Sequence, residues 1–240
     1  MSKDIKPKGN LYLIPSTLGD NEPLEVLPIS IKRAIEEIDH YIVENEKTAR
    51  RFIKKISPRK SQPSLHLETL NKYTEPASLS GFLEPCLEGF DIGILSEAGC
   101  PGIADPGADV VKIAHEKNIR VIPLVGPSSI LLALMASGFN GQSFAFNGYL
   151  PIDSAERRKA IKKMEKLSIE FGQSQLCIET PYRNDKLLAD MLKSLSPNTK
   201  LCIACDITLN TEYIATKTIA DWKKGLPELH KRPAIFIIQG

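Results

Sequence analysis

The chain has 240 residues, of which 42% are hydrophobic and 25% charged, and this composition excludes a largely disordered protein. Lys and Arg number 31 against 29 Asp and Glu, so binding to a polyanion would need a local basic patch rather than bulk charge. The polar N-terminal segment and the lack of any long apolar run predict neither an export signal nor a membrane-spanning helix.

The first half of the sequence alternates short apolar runs with amphipathic patterns of helical period. We predict strands at 11–14, 40–43, 91–95 and 120–125. We predict helices, most with apolar residues spaced three and four apart, at 29–38, 48–56, 78–87, 109–117 and 130–137. This order of elements is typical of a mostly parallel α/β sheet.

The second half changes character after a boundary that we place near Gly126. Strands are predicted at 143–149, 175–179, 201–207, 213–218 and 234–239, and helices at 155–167 and 186–195. Because the last strands have little helix between them, we expect mixed or antiparallel pairing. The sequence therefore predicts an N-terminal α/β domain over residues 1–126 and a C-terminal α+β domain over residues 127–240.

Loops built from Gly, Pro, Ser and Thr follow several of the predicted strands, at 15–20, 96–107, 126–129 and 180–184. Ligands of parallel α/β sheets bind beyond the carboxyl ends of the strands, where small residues expose the backbone. The loop at 96–107 contains three glycines and two prolines, so we expect it to bind a ligand. A rigid structural loop is the alternative.

Several familiar catalytic motifs are missing from the sequence. It has no GxxxxGK[ST] phosphate loop, no GxGxxG after the first strand, no GxSxG nucleophile and no HExxH pair. The five cysteines are an odd number, and the CxxC at 202–205 lies in an apolar run whose residues three apart point to opposite faces if it is a strand. We therefore expect buried thiols in a reducing cytoplasm, and no metal site.

Five segments occur together along the chain: LYLIPSTLGD (11–20), SEAGCPGIADPG (96–107), PLVGPSS (123–129), IETPYRN (178–184) and RPAIFIIQG (232–240). In this combination the chain resembles the tetrapyrrole methylase-like S-adenosylmethionine-dependent methyltransferases, and within them the ribosomal small-subunit RNA methyltransferase I branch. The AGxPxIxDPG core of the second segment is the most specific of these signals. The chain departs from that branch at Glu97, where Asp is usual, and at 44–47, where it reads Glu-Asn-Glu-Lys instead of Glu-Asp-Thr-Arg.

The resemblance implies a bilobal fold with S-adenosyl-L-methionine in a cleft between two domains, a homodimer, and 2′-O-methylation of a cytidine in ribosomal RNA. Matching positions imply cofactor contacts, made largely through the main chain, at Pro15, Glu97, Ala98, Gly99, Cys100, Ile103, Ser128, Ser129, Ile178, Glu179, Ala204, Pro233 and Ala234. A side chain added at Gly99 is expected to extend into the path of the cofactor. No catalytic residue is assigned; a general base would suit a hydroxyl acceptor, and Glu44 and Asp105 are the candidates.

Residues 47–60 carry seven basic residues and no acidic one, which favours a surface for RNA phosphates over a merely solubilising face. The predicted helix buries its apolar face here, so we expect the basic side chains to point outward, away from the glycine-rich loops. The predicted substrate contacts are Arg50, Arg51, Lys54 and Lys55. A second basic cluster at 157–166 is equally consistent with a solubilising face.

Two other functions remain open on the sequence. One is a small-molecule methylase acting on a tetrapyrrole, although the first loop, PSTLGD, is closer to the RNA branch than to the GxGPGD of the tetrapyrrole enzymes. The other is a non-catalytic module that binds S-adenosylmethionine, which the departures at Glu97 and Asn45 suggest.

Overall fold

The computed structural model describes residues 7–71 and 73–240, and the chain divides into two compact units between Ser128 and Ser129. Unit 1 contains a five-stranded sheet formed by β1 (Leu11–Ile14), β2 (His40–Val43), β3 (His66–Thr69), β4 (Ile92–Leu95) and β5 (Val121–Pro123). The strand order is β3-β2-β4-β1-β5, and every neighbouring pair is parallel. The carboxyl ends of all five strands therefore lie at one edge of this sheet.

The helices of unit 1 connect these strands. They are α1 (Pro23–Val26), α2 (Ile29–Glu37), α3 (Glu46–Ile56), α4 (Glu84–Leu87) and α5 (Gly107–Glu116), with 3₁₀ turns at Pro76–Ser78 and Gly81–Leu83. The predicted continuous helix at 78–87 is wrong, because the segment forms 3₁₀ turns and one short α-helical turn instead. Pro85 has no backbone N–H to continue a preceding helix, so the longer helix cannot form through it.

Apolar side chains cover both faces of the parallel sheet, as expected for strands connected by crossover helices. On one face Tyr41 packs with Ile35 of α2 and Ile53 of α3. On the other face Ile42 and Val110 belong to a separate cluster. Since Tyr41 and Ile42 are adjacent in β2, the alternation of a strand directs them to opposite layers.

Unit 2 is a mixed α/β structure around a second five-stranded sheet. Its elements are α6 (Ser129–Ser137), β6 (Phe144–Tyr149), α7 (Ser154–Phe171), β7 (Ser174–Ile178), α8 (Asn184–Ser194), β8 (Lys200–Cys205), β9 (Tyr213–Thr218), α9 (Ile219–Trp222) and β10 (Ala234–Gln239). The strand order is β6-β7-β10-β8-β9; β6 and β7 are parallel, and the other neighbours are antiparallel. The predicted fold class, a parallel α/β sheet followed by a mixed sheet, is confirmed.

The core of unit 2 contains a buried tryptophan and a buried ion pair. Trp222 is fully buried and its Nε1 donates a hydrogen bond to the Leu201 carbonyl at 2.8 Å. Arg157 of α7 and Asp190 of α8 form a buried ion pair with an Nη2–Oδ2 distance of 2.5 Å. Among the residues that the structure describes, no helix is both long enough and apolar enough to cross a membrane.

Candidate functional site

Three loops of unit 1 meet beyond the carboxyl ends of β1 and β4, two of them through the carbonyl oxygen of Gly99. The backbone N–H of Ser16 donates to this oxygen at 3.0 Å, and the Ser96 hydroxyl donates to it at 2.6 Å. The Cys100 thiol donates to the carbonyl of Pro127 at 3.4 Å, which ties in the loop after β5. The structure thus joins the predicted loops 15–20, 96–107 and 126–128 at a single edge of the sheet.

The loop conformations require glycine at two places. Gly99 has φ +76°, in the left-handed region, and a Cβ on it would approach Leu18 Cδ2 and the Pro127 carbonyl to 3.0 Å. The nearest atoms to a side chain at Gly99 are therefore those of the protein itself, and the expected effect of such a side chain on cofactor binding stays a prediction. At Gly126 a Cβ would lie 2.2 Å from the Cβ of Pro15. The backbone of the loop after β5 therefore packs directly against the Pro15 ring in the loop after β1.

Asp105, one candidate general base, holds the 96–107 loop together. Its Oδ1 accepts hydrogen bonds from the backbone N–H groups of Gly102 at 2.7 Å and Gly107 at 2.9 Å. Ala104, immediately before it, has φ +61°, an uncommon conformation for a residue with a Cβ. These contacts assign the Asp105 carboxylate a structural task.

Glu44, the second candidate, lies at the end of β2 beside Glu97. The backbone N–H of Glu97 donates to Glu44 Oε1 at 3.3 Å, and the Thr48 hydroxyl donates to Glu97 Oε1 at 2.6 Å. Burial raises the pKa of Glu44, a hydrogen bond from the Glu97 backbone opposes this, and the negative charges of Asp105 and Glu97 raise it further. A carboxyl group with a raised pKa exchanges protons closer to neutral pH than an ordinary glutamate does.

The departure from the family pattern at Asn45 preserves a helix cap. The Asn45 side chain accepts hydrogen bonds from the backbone N–H groups of Lys47 at 3.0 Å and Thr48 at 3.2 Å, at the first turn of α3. Asn and Asp are equally good N-cap residues, so α3 begins where an Asp would also begin it.

A pocket of about 130 Å³ opens between α3 and these loops. Its polar lining comes from the loop after β1, the end of β4 and one side of α3: Ser16, Thr17, Asp20, Asn21, Thr48, Arg51, Lys55, Ser96 and Glu97. Two predicted substrate residues, Arg51 and Lys55, therefore lie beside the predicted cofactor loops rather than away from them. The pocket combines hydroxyl groups, two carboxylates and two cations within unit 1.

The four predicted substrate residues on α3 differ in how they are engaged. Lys55 Nζ donates to the Asn21 carbonyl at 2.8 Å and lies 3.4 Å from Asp20 Oδ1. The prediction that Lys55 points away from the loops is wrong, because its long side chain turns back toward the acidic loop after β1. Arg50 is paired with Glu46 at 2.7 Å, whereas Arg51 and Lys54 are exposed.

In unit 2 the predicted cofactor residues gather at one edge of the mixed sheet. Ile178 at the end of β7 pairs with Ile235, and Cys205 at the end of β8 pairs with Ala234 at the start of β10. Antiparallel pairing therefore places the carboxyl ends of β7 and β8 next to the amino end of β10. Ala204, one of the predicted cofactor residues, is fully buried.

The loop after β7 is fixed by a buried carboxylate. Glu179 Oε1 accepts from Arg183 Nη2 at 2.6 Å and from the Thr180 backbone N–H at 2.7 Å, and the Glu179 side chain is 1% exposed. This pair was not predicted from the sequence, because the turn that brings Arg183 back to Glu179 is not specified by local residue patterns. Because the Glu179 carboxylate is already hydrogen-bonded to Arg183 and Thr180, a cofactor contact at Glu179 would be made by its main chain.

The predicted cofactor residues differ in accessibility. The exposed ones are Glu97, Ala98, Ile103 and Pro233; the partly buried ones are Cys100, Ser128, Ser129 and Ile178; the buried ones are Pro15, Gly99, Glu179, Ala204 and Ala234. Within residues 7–71 and 73–240, no group of three or more His, Cys, Asp and Glu side chains is placed to hold a metal ion.

Comparison with solved structures defines the class of fold. The methyltransferase CobJ is 15% identical and superposes with a TM-score of 0.63, over 97% of this chain and 94% of that one. A uroporphyrin-III C-methyltransferase from Thermus thermophilus, solved with S-adenosylhomocysteine, is 15% identical, with a TM-score of 0.59 over 96% of this chain and 97% of that one. The chain has the tetrapyrrole methylase fold.

Sequence comparison defines the family more narrowly. The ribosomal RNA small subunit methyltransferase I of Halalkalibacterium halodurans is 31% identical over 216 residues, which cover 89% of this chain and 70% of that protein. The enzyme of that name from Neisseria meningitidis serogroup B is 26% identical over 218 residues, covering 91% of this chain and 70% of that protein. No protein-family model matches the chain. The chain belongs to the ribosomal RNA small subunit methyltransferase I family and is an S-adenosyl-L-methionine-dependent methyltransferase.

Proposed function

We propose that the chain transfers a methyl group from S-adenosyl-L-methionine to the 2′-hydroxyl of a cytidine in small-subunit ribosomal RNA. The observation that carries this proposal is the position of the basic helix α3, whose Arg51 and Lys55 line the same pocket as Ser16, Ser96 and Glu97. Cations suited to phosphates thus lie beside the loops suited to the cofactor. The names of the relatives support the choice of ribosomal RNA over a tetrapyrrole.

The residues of unit 1 suit the charge of the proposed cofactor, which supplies an electrophilic methyl group on a sulfonium. The carboxylate of Glu97 would attract its positive charges, and the exposed residue Ala98 would offer backbone groups to hydrogen-bond to its polar groups. We therefore propose the predicted cofactor residues as the binding residues, acting mainly through their backbone.

We propose Glu44 as the group that accepts the proton of the attacking hydroxyl, and Asp105 as a structural residue. Glu44→Gln should reduce kcat by about 10²- to 10⁴-fold, the usual contribution of a general base. The acidic limb of the pH–rate profile should disappear in this variant, while calorimetry should show unchanged binding of S-adenosylhomocysteine. If Glu44→Gln retains wild-type kcat across the pH range, the assignment is wrong.

The four basic residues of α3 remain the proposed RNA contacts, with Arg51 and Lys54 the most accessible. Each phosphate contact steepens the dependence of log affinity on log salt by about 0.7 for single strands. Replacing Arg51 and Lys54 by Gln should therefore flatten the slope by about 1.4. A Lys162→Gln/Lys163→Gln variant on α7 serves as the charge-matched control, and an equal slope in both variants would favour a solubilising role for α3.

The acceptor can be identified directly. Purified protein, labelled cofactor and small-subunit ribosomal RNA, either free or in the assembled subunit, should give labelled 2′-O-methylcytidine after nuclease digestion. Mass spectrometry of ribosomal RNA from a deletion strain and its parent should show the same nucleoside lost. Transfer to a tetrapyrrole instead, or cofactor binding without transfer to any acceptor, would replace this proposal with one of its two rivals.

We also propose that the chain acts as a homodimer in the cytoplasm. The family resemblance suggests the dimer, and the free thiols of all five cysteines are consistent with a reducing compartment. Light scattering at micromolar concentration should give twice the 26.5 kDa of one chain. A monomer mass would refute the dimer and would leave the methyltransferase assignment intact.

A further inference from the structure

One aromatic side chain of unit 2 is exposed to solvent between a histidine and a lysine. Tyr182, in the loop between β7 and α8, is 69% exposed. The His230 ring stands edge-on to it, with centroids 6.2 Å apart and an interplanar angle of 80°. Lys231 Nζ lies 6.0 Å from the centroid of the same ring. The cofactor residues proposed above do not use this side chain.

The backbone around Tyr182 is held on both sides. The Lys231 N–H donates to the Pro181 carbonyl at 3.1 Å, and Asn184 Nδ2 donates to the Arg232 carbonyl at 2.6 Å. Lys231 has φ +61°, a conformation that a lysine adopts only where its surroundings impose it. Two separate loops are thus hydrogen-bonded to each other on either side of Tyr182, which holds in place the backbone that carries the ring.

We propose that Tyr182 is a stacking platform for an unpaired base of the RNA substrate, with Lys231 contacting an adjacent phosphate; this rests on the proposed RNA methyltransferase function. Proteins that recognise single-stranded RNA stack its bases on exposed aromatic rings and contact its backbone with nearby cations. Two hydrogen-bonded loops supply these groups, with Tyr182 in the loop after β7 and Lys231 in the loop before β10. The loop after β7 follows Ile178 and includes Glu179, so the platform adjoins proposed cofactor residues.

The surroundings of Tyr182 favour a base over a protein partner. The Tyr182 ring has Lys231 and His230 beside it, and His230 Nδ1 lies 3.9 Å from Asp185 Oδ2. A stable protein interface buries roughly 800 Å² on each partner and has an apolar centre. One aromatic ring within a charged border matches the area of a nucleobase much better.

The test uses the full chain and a fluorescent reporter. The only native tryptophan, Trp222, is fully buried, so the indole introduced by Tyr182→Trp would report on this surface. An unstructured oligoribonucleotide should quench the new emission because a base stacks on the indole, and inorganic polyphosphate should not. Tyr182→Leu should weaken binding of the same oligonucleotide by about 5- to 150-fold, the range for loss of one stacked base.

The control is Tyr73→Leu, which removes a tyrosine of unit 1 that is 79% exposed and should leave RNA affinity unchanged. Binding of S-adenosylhomocysteine should also be unchanged in Tyr182→Leu. If the wild type methylates ribosomal RNA and Tyr182→Leu binds RNA equally well, the platform is refuted and the function stands. If the wild type neither binds nor methylates RNA, both proposals fail. A dimer that dissociates in Tyr182→Leu would overturn the platform in favour of a protein contact.

Discussion

Removal of one guanidinium from the core of unit 2 should be costly. The side chains of Arg157 and Asp190 are only 7% and 9% exposed, and Arg157 Nε and Nη2 lie 2.9 and 2.5 Å from Asp190 Oδ2. Arg157 Nη1 also donates to the Ile152 carbonyl at 2.7 Å. Arg157→Met retains the aliphatic stem but leaves a buried carboxylate without its partner. Breaking a buried pair on one side destabilises a protein by about 3–5 kcal/mol, and we expect a loss in this range.

The pH dependence of the same pair has a definite sign. Burial raises the pKa of Asp190, but the hydrogen bonds from Arg157 and Ser154 outweigh it, and the net pKa is lowered. A carboxyl group with a lowered folded pKa stabilises the protein above its unfolded pKa of about 3.9, and this contribution is lost as pH falls through the folded value. The wild type should therefore lose stability below about pH 4, and Arg157→Met should lose less there.

Guanidinium titrations followed by Trp222 emission provide the assay, because this buried tryptophan belongs to unit 2. Arg158→Met is the matched control, since Arg158 is exposed on the same helix, and it should change stability by less than about 0.5 kcal/mol. The double variant Arg157→Met/Asp190→Leu should recover part of the loss, because it removes the orphaned charge. If Arg157→Met unfolds at the same midpoint as Arg158→Met, the argument from burial is wrong.

Two further predictions concern unit 1. Gly126→Ala should destabilise unit 1 by about 1–3 kcal/mol, the usual cost of overpacking, because the new Cβ would lie 2.2 Å from the Pro15 ring. The same variant should weaken cofactor binding. The control is Gly141→Ala, whose Cβ would have nothing within 4 Å, and it should change neither the melting temperature nor the affinity measured by calorimetry. Burial and the stacked His66 ring lower the pKa of His40, so the stability of the protein should decline as pH falls below about 6.5, the pKa of an unfolded histidine. His40→Phe should weaken that decline in thermal melts followed by circular dichroism. An unchanged decline would contradict the lowered pKa of His40.

The sequence alone was sufficient to predict the elements whose apolar residues form the core. Strands such as β4 and β10 are continuous apolar runs, and their burial follows from composition alone. Strand β3, which reads His-Leu-Glu-Thr, was not predicted, because an exposed edge strand needs no apolar alternation. Its backbone pairing with β2 is what makes it a strand, and that pairing joins residues far apart in the sequence.

The candidate site was predictable at the level of loops but not of side-chain direction. Glycines and prolines indicated which segments meet, since backbone contacts such as the one at Gly99 constrain residue type. The direction of Lys55 was not predictable, because helical periodicity fixes only its Cβ and a lysine side chain can reach back to an acidic loop. The Glu179–Arg183 pair depends on a turn that local residue patterns do not specify.

The topology of unit 1 has a consequence for biosynthesis. Its first strand, β1, is hydrogen-bonded to β4 and β5, with Leu11 opposite both Ile92 and Val121. During synthesis on the ribosome, β1 therefore emerges long before β4 and β5 have been made. Until then, the backbone hydrogen-bonding groups on both of its edges have no partner strand. Non-local parallel pairing of this kind folds slowly and exposes the chain to aggregation. A nascent chain arrested before Val121 should depend on a chaperone that covers extended apolar segments, whereas one released after Pro123 can close the sheet by itself.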